Sequence, residues 1–377
     1  YITACDLFAI ACLFLMLINR GVPLRPLAAA TPVWLVGIIL LIGSLMVSSL
    51  VNGDPLRGMI VSAQYFYSWF LFPLVIVSRP WSQLIILVKT FLASVVLMCF
   101  FGIYMIYVDG ETNTRWVSAT GRLNSWLEHP NSTASVLALT IPMLMWTSAK
   151  QVLSKYVVWP PKALCLNNVV LTASNSGLSM SLFGLSVFLL FSFSAVQLAL
   201  AGMFAFMLVV LIAQWGSLFL PEIFQERVLS ALQSGDIDQA GTFFERFELI
   251  REALQLSNNT ILIGLGVDQY RVVSETETPV HNIYLLLFTE GGLIALIGFL
   301  TIIVSWISPA LINRSRASFG ASDVCSLTTI ASFLVLINAY THVYGRFLIV
   351  PLVLAVSLSI ASIQNGDVPL ELRRRRQ

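Results

Sequence analysis

Long apolar runs with few charges constrain the fold of this sequence more than any other feature. Runs of about twenty apolar residues recur along the chain, which is the length that an α-helix needs to cross a bilayer. Only 11% of the 377 residues are charged, too few to cover a soluble globule, and 57% are hydrophobic. The runs do not alternate apolar and polar residues, which excludes a transmembrane barrel. The sequence predicts an all-α, polytopic helical membrane protein.

Ten segments are clear candidates for membrane spans, and an eleventh, 156–173, is weaker. It carries Pro160 and Pro161 but is long enough to cross a thinned bilayer. When it is counted as a span, twelve of the 21 basic residues fall on the cytoplasmic side, including Arg314, Arg316 and the tail Arg373 to Arg376. We therefore expect eleven spans, or twelve if one precedes the first residue. The ten clear segments are 3–18, 33–51, 59–77, 82–107, 131–148, 177–194, 196–214, 282–307, 324–341 and 347–363.

One connection, 215–280, is much longer than the others and is extracytoplasmic in this topology. It carries ten acidic residues and four arginines. Connections of this length are usually functional or disordered. We divide the chain into an N-terminal transmembrane bundle at 1–214, this large loop at 215–280, and C-terminal spans with a basic tail at 281–377.

The segment 241–256 in this loop has the pattern of an amphipathic helix. Phe243, Phe247, Ile250 and Leu254 repeat at helical spacing, with charged residues elsewhere on the circumference. We expect a helix that lies on the membrane surface. A helix that only caps the bundle is the alternative.

Three histidines, His129, His281 and His342, are predicted at the outer ends of spans. None has the paired spacing of metal ligands, so we predict no metal site. His281 opens a span directly after an acidic stretch and is followed by Asn282. An ordinary histidine has a pKa near 6.5, so a neutral imidazole at this place could act as a general base toward an acceptor hydroxyl. An interfacial histidine without a chemical function is the alternative.

Arginines are unusually frequent on the predicted outer side. The guanidinium group grips phosphate in a bidentate manner and keeps its charge, so a group of arginines beside a bilayer suits a phosphorylated lipid head group. Pairing with a nearby carboxylate is the alternative, and we expect it for Arg227 and Arg251. Arg346 has no acidic neighbour in the sequence. The outer arginines are Arg57, Arg115, Arg122, Arg227, Arg246, Arg251, Arg271 and Arg346.

Other chemistries leave no motif in the sequence. The five cysteines lie in or beside apolar runs without metal or redox spacing, and we interpret them as packing residues. The sequence has no phosphate-binding P-loop, no GxSxG elbow and no HExxH motif. The near balance of 21 basic and 19 acidic residues gives no argument for a nucleic-acid partner.

The residues around His281 resemble the signature of the O-antigen ligase and polymerase family, membrane glycosyltransferases that handle undecaprenyl-diphosphate-linked glycans. His281 and Asn282 are followed by nine residues and Gly292. The signature then has two residues and a Gly, Thr or Tyr, where this chain has Ala295.

Three other segments are similar to family patterns in the same order along the chain. GRLNSWLEHPNSTAS at 121–135 resembles an Arg followed by Pro-Asn-x-x-Ala, the Arg246 helix runs into IGLGVDQY at 263–270, and Arg346 lies in the last hairpin. A departure occurs in LTASNSG at 171–177, where Asn175 stands near the place of a family arginine.

The resemblance implies a GT-C-like bundle of about 11 to 12 transmembrane helices in the bacterial inner membrane, with its active site facing the periplasm. It implies metal-independent, cofactor-free and inverting transfer, in which His281 activates the acceptor hydroxyl. Arg122, Arg246 and Arg346, with Asn131 and Asn282, are the expected substrate-binding residues.

The expected donor is an undecaprenyl-diphosphate-linked glycan, and the expected acceptor is lipid A core or a growing glycan. The His-Asn-x9-Gly spacing favours a ligase. A polymerase of the same family is the first alternative, and a lipid or sugar transporter is the alternative from another class of protein.

Overall fold

The computed structural model describes residues 3–365 except 219, 231–242, 259, 314–318 and 342, and leaves out the side chains of 155, 243–245, 313 and 365. Within these ranges the regular structure is helical, and an isolated β-bridge joins Val117 and Leu123. The prediction of an all-α protein is confirmed. Arg314, Arg316, His342 and the tail Arg373 to Arg376 lie outside the described residues.

Fifteen α-helices, numbered here in chain order, occur in the described part of the chain. Two five-residue π-helical segments, Tyr67–Leu71 and Met105–Asp109, join α3 to α4 and extend α5. The helices are α1 (Ala4–Ile18), α2 (Thr31–Asn52), α3 (Pro55–Phe66), α4 (Phe72–Ile76), α5 (Trp81–Tyr104), α6 (Pro130–Ala149), α7 (Lys155–Leu171), α8 (Asn175–Ser192), α9 (Ala195–Trp215), α10 (Glu222–Phe224), α11 (Phe243–Ser257), α12 (Tyr270–Val273), α13 (Ile283–Asn313), α14 (Ala321–Leu336) and α15 (Arg346–Asn365).

Helices cover all eleven of the predicted spans within the residues described. Eight helical stretches there are long and apolar enough to cross a membrane, while α1 and α14 are apolar but shorter. The weaker segment forms the 17-residue α7 around Pro160 and Pro161. The chain is therefore a multi-pass membrane protein, whereas the sidedness of its loops and the eleventh span stay predictions.

The chain divides into two compact units, each with most of its contacts within itself. In the first unit, α2 and α13 pack closely where two glycines meet. A Cβ atom on Gly298 would lie 2.5 Å from the Leu41 backbone nitrogen, and one on Gly37 would lie 2.9 Å from the Gly298 carbonyl oxygen. Small residues allow such close approach between membrane helices. The described parts of this unit fall in Tyr1–Leu84, Glu245–Ser318 and Ile337–Asp367.

The second unit is built around α6, most of which is buried. A Cβ atom on Gly177 of α8 would clash with the Ala134 methyl group of α6, so the two helices lie close together there with only this methyl group between them. Trp146 Nε1 of α6 donates to Ser322 Oγ of α14 at 3.0 Å. The described parts of this unit fall in Ile85–Phe244 and Phe319–Leu336. The division by sequence at 214 and 280 stays a prediction.

The segment predicted to be an amphipathic helix forms the helix α11. Its inner face buries Leu249 and Ala253, while Phe247 and Leu254 are 63% and 49% exposed. Arg246 lies in its first turn and is partly buried. Contact of the exposed apolar residues with a membrane surface stays a prediction, as does the binding of substrate by Arg246.

Candidate functional site

Arg122 lies between α5 and α6 in a tight turn that is anchored to the end of α7. The Ser118 N–H donates to the Arg122 carbonyl oxygen at 2.9 Å, and the Arg122 N–H donates to Ser118 Oγ at 3.0 Å. Gly121 supplies the left-handed backbone, with a φ of 77°, that closes the turn. Leu123 is fully buried, and its N–H donates to the Leu171 carbonyl oxygen at 3.0 Å. The Arg122 backbone is therefore fixed against the junction of α7 and α8.

Two uncharged acceptors hold the Arg122 guanidinium group. Its Nε donates to the Thr172 carbonyl oxygen at 2.9 Å, and its Nη2 donates to Asn131 Oδ1 at 3.0 Å. Asn131 Oδ1 also accepts from Ser174 Oγ at 3.0 Å, and Ser174 is the N-cap of α8. The structure thus brings together two predicted substrate-binding residues, Arg122 and Asn131. Asn175, which stands near the place of a family arginine, begins α8.

The charge of Arg122 is not compensated by any carboxylate among the described residues, where the ion pairs all involve other arginines. Burial, with Arg227 as the second cause, lowers the pKa of Arg122 to about 10. Arg122 therefore stays cationic at neutral pH. Burial and Arg122 lower the pKa of His129 below its ordinary value of 6.5, so this imidazole is neutral at pH 7.

His281 and Asn282 lie at the start of α13, as predicted. Asn282 caps this helix, because its Oδ1 accepts from the Leu285 N–H at 3.1 Å. His281 is partly buried, and two residues later the Ile283 N–H donates to the Ile337 carbonyl oxygen at 2.9 Å. Helix capping and this hydrogen bond therefore fix the backbone beside the imidazole. The catalytic function of His281 and the substrate contact of Asn282 stay predictions.

The signature glycine, Gly292, breaks the regular geometry of α13 with a φ of 77° and a ψ of −178°. The segment 261–266 lies on this break, where the Leu265 N–H donates to the Thr289 carbonyl oxygen at 2.8 Å. A Cβ atom on Gly292 would clash with the Leu262 carbonyl oxygen. Gly292 therefore allows the end of the long connection to pack against α13. This structural function is separate from the chemistry expected of His281.

The buried Glu290 carboxyl group binds the same connection. It accepts hydrogen bonds from the backbone N–H groups of Asp268 and Tyr270. Asp268 Oδ2 in turn pairs with Arg57 Nε at 2.7 Å and with Arg271 Nη2 at 2.9 Å. Two of the outer arginines thus pair with a carboxylate of their own unit, as the alternative interpretation expects.

Arg346 has a carboxylate partner from the other end of the chain. Its Nε and Nη2 donate to Asp6 Oδ1 and Oδ2 at 2.8 and 2.9 Å, and its Nη1 donates to Gln64 Oε1. The Asp6 side chain is 0% exposed and that of Arg346 is 13% exposed, so the pair is shielded from water. The structure favours a structural function for Arg346, and its contact with a donor diphosphate stays a prediction.

The two arginines expected to pair locally show no such pair among the described residues. Glu252, a candidate partner of Arg251, instead accepts hydrogen bonds from Tyr270 Oη at 3.0 Å and Ser274 Oγ at 2.9 Å. Arg227 has no ion pair within the described ranges. The described residues therefore show no local ion pair of Arg227, in contrast to the prediction.

His129 and Arg227 interact electrostatically with Arg122 but carry little sequence signal. His129 lies between Arg122 and Asn131 in the segment 121–135, so its nearness to both could have been inferred. Arg227 is more than a hundred residues away from Arg122 in sequence, and no spacing rule connects the two.

Within the described ranges, no three His, Cys, Asp or Glu side chains cluster in a way that could hold a metal ion. His129 and His281 belong to separate compact units. Metal-independent chemistry stays a prediction.

A comparison with known families matches one part of the chain. Residues 162–300 match the family model described as O-antigen ligase. This stretch runs from α7 to the middle of α13 and contains Arg246, His281 and Asn282, while Arg122 and Asn131 precede it. A comparison with curated proteins gives no match. The match covers less than half of the chain, so what it shows is that residues 162–300 are similar to the O-antigen ligase family.

Proposed function

We propose that this protein is an O-antigen ligase-like glycosyltransferase of the bacterial inner membrane. It transfers a glycan from undecaprenyl diphosphate to a hydroxyl group of lipid A core or a similar acceptor, at the periplasmic face. The family match supports a glycosyltransferase of the ligase or polymerase type. The observation that carries the finer proposal is Arg122, a partly buried cation held by neutral acceptors and without a carboxylate among the described residues.

The geometry of Arg122 suits the diphosphate of the donor. A guanidinium group has five N–H donors, and its bonds to Thr172 and Asn131 use two of them. The other three have no acceptor in the described part of the chain and remain for phosphate oxygens. The neutral acceptors fix the plane of the group without cancelling its charge, which favours bidentate binding of an anion.

His281 is the general base in this proposal. Its neutral imidazole takes the proton of the acceptor hydroxyl while the hydroxyl oxygen attacks the anomeric carbon of the glycan. The bond between this carbon and the diphosphate oxygen breaks, and its electron pair leaves with undecaprenyl diphosphate. One displacement inverts the configuration. Arginine stabilises the developing negative charge, which is the function that a divalent cation serves in many glycosyltransferases.

The other predicted residues have supporting functions. Asn131 orients Arg122, and Arg246 is a further candidate for the donor phosphates. Asn282 caps α13 and so holds the backbone that carries His281. Arg346 is the least supported candidate for the donor phosphates, because its Nε and Nη2 donate to Asp6.

A product assay tests the reaction type. The purified full-length protein is incubated without divalent metal with an undecaprenyl-diphosphate-linked repeat unit and lipid A core, and the products are separated on a glycolipid gel. We expect a single upward shift of the core. A ladder on the lipid carrier would replace the ligase by a polymerase. Movement of unaltered substrate across vesicles, without product, would favour a transporter.

A substitution at His281 tests the catalytic assignment. We expect His281→Ala to lower the transfer rate by about 10²- to 10⁴-fold, the usual contribution of a general base, with an unchanged unfolding temperature. Arg115→Gln is the control, because Arg115 is exposed and pairs with Glu128. A folded His281→Ala protein with the wild-type rate would contradict the assignment.

A further inference from the structure

The segment 220–229 packs against the same junction that holds Arg122. Phe224 and Val228 are buried in contact with Ala173. Ala173 directly follows the residue whose carbonyl oxygen accepts the Arg122 Nε hydrogen bond. An apolar contact therefore fixes this segment beside Arg122, independently of any charge.

Arg227 lies between these two apolar anchors. Its Nε is buried and has no hydrogen-bond partner among the described residues. Its charge acts on Arg122, whose pKa is lowered by burial and by Arg227. Neither arginine has a carboxylate partner within the described ranges. Two partly buried cations repel each other, and burial reduces the screening by water.

We propose that Arg227 is the second cation of the donor site, so that Arg122 and Arg227 together bind the diphosphate group. This inference rests on the function proposed above. A diphosphate carries negative charge on two adjacent phosphoryl groups, and each guanidinium fork can hold one of them. The bound anion replaces the repulsion between two cations by two attractive contacts. Because orthophosphate offers only one phosphoryl group, we expect the pair to bind pyrophosphate more tightly.

A binding measurement on the full-length protein tests this assignment. Wild type, Arg227→Gln, Arg227→Lys and Arg122→Gln are each titrated with inorganic pyrophosphate, and Kd is obtained from the rise in unfolding temperature. We expect Arg227→Gln to raise Kd by about 10- to 100-fold, as hydrogen bonds to a charged group are lost. Arg227→Lys keeps the charge without the fork, and its Kd should lie between those of wild type and Arg227→Gln. Arg115→Gln, as the matched surface control, should bind like the wild type.

The outcomes separate this inference from the proposed function. Equal pyrophosphate affinity in wild type and Arg227→Gln would overturn the assignment of Arg227 and leave Arg122 as a candidate. If Arg227→Gln does not fold, an unchanged Kd in Arg227→Lys would overturn it instead. Absence of pyrophosphate binding by the wild type would overturn the two-arginine site. Binding that depends on both arginines, in a protein that transfers no glycan, would support the site and contradict the glycosyltransferase function.

Discussion

Arg122 and Arg346 show two different uses of one side chain. A backbone carbonyl and an amide oxygen hold Arg122, whereas the Asp6 carboxylate holds Arg346 through two hydrogen bonds. Neutral acceptors orient a guanidinium group but leave its charge unbalanced, while a carboxylate does both. Burial alone therefore does not identify a ligand-binding arginine. The chemical nature of the acceptors is the reason why we propose Arg122, and not Arg346, as the residue that binds a ligand.

The largest expected effect is on stability, from the removal of Arg346. Arg346→Gln leaves the buried Asp6 without its cation, and loss of one partner of a buried pair costs about 3–5 kcal/mol. We expect a matching loss in the free energy of unfolding in detergent. The double variant Asp6→Asn/Arg346→Gln should lose less than Arg346→Gln alone. An unchanged stability in Arg346→Gln would remove the contrast with Arg122.

The next largest effect, from a substitution at Arg122, is expected on the transfer rate and not on stability. Arg122→Lys keeps a positive charge but cannot reproduce the planar fork. We expect the transfer rate to fall by about 10²- to 10³-fold, as for other groups that stabilise developing charge, with little change in unfolding temperature. If Arg122→Lys instead loses stability as Arg346→Gln does and keeps its transfer rate, the proposed difference between the two arginines is wrong.

A smaller effect is expected where the long connection rests on α13. Gly292→Ala places a Cβ against the Leu262 carbonyl oxygen at a φ of 77°, and we expect a loss of about 1–3 kcal/mol in unfolding free energy. Gly43→Ala in α2 is the control, because no atom lies within 4 Å of its added Cβ. Equal stability of the two variants would show that the break at Gly292 does not hold this segment.

The smallest expected effect is on the pH dependence of stability, through the influence of the uncompensated Arg122 charge on His129. The pKa of His129 is lowered in the folded protein, so the unfolded chain binds its proton first as the pH falls below about 6.5. His129 therefore makes the protein less stable as the pH decreases from there toward the folded-state pKa. We expect His129→Gln to reduce the pH dependence of the unfolding temperature in this window.

A second variant tests the effect of Arg122 on His129. Arg122→Gln should raise the pKa of His129, which NMR titration of the imidazole would show. An unmoved pKa would mean that Arg122 exerts no such field.

The positions of the helices follow from the sequence because burial in lipid demands continuous apolar runs. The break in α13 does not follow, since a glycine within an apolar run has the same sequence signature whether it is helical or has a positive φ. The backbone of Leu262 and Ile263, which approaches from a different segment, leaves no room for a Cβ atom at Gly292.

The candidate site can be predicted from the sequence only where its residues lie close together along the chain. Arg122 and Asn131 lie nine residues apart, and their contact agrees with their shared motif. Arg227 has Glu226 beside it in sequence, which suggests a local pair, yet the packing of Phe224 and Val228 places it near Arg122. Contacts between distant segments decide which arginines are neutralised, and the sequence does not encode them in a readable pattern.

The pair between Asp6 and Arg346 also has a consequence for biosynthesis. The two residues are 340 positions apart, so the carboxylate in α1 is synthesised long before its cation in α15. An unpaired ionisable group within a membrane is costly, so Asp6 must remain hydrated, protonated or bound to another partner until α15 is inserted. Formation of this contact would thus report that α1 and α15 have both reached their places in the bilayer.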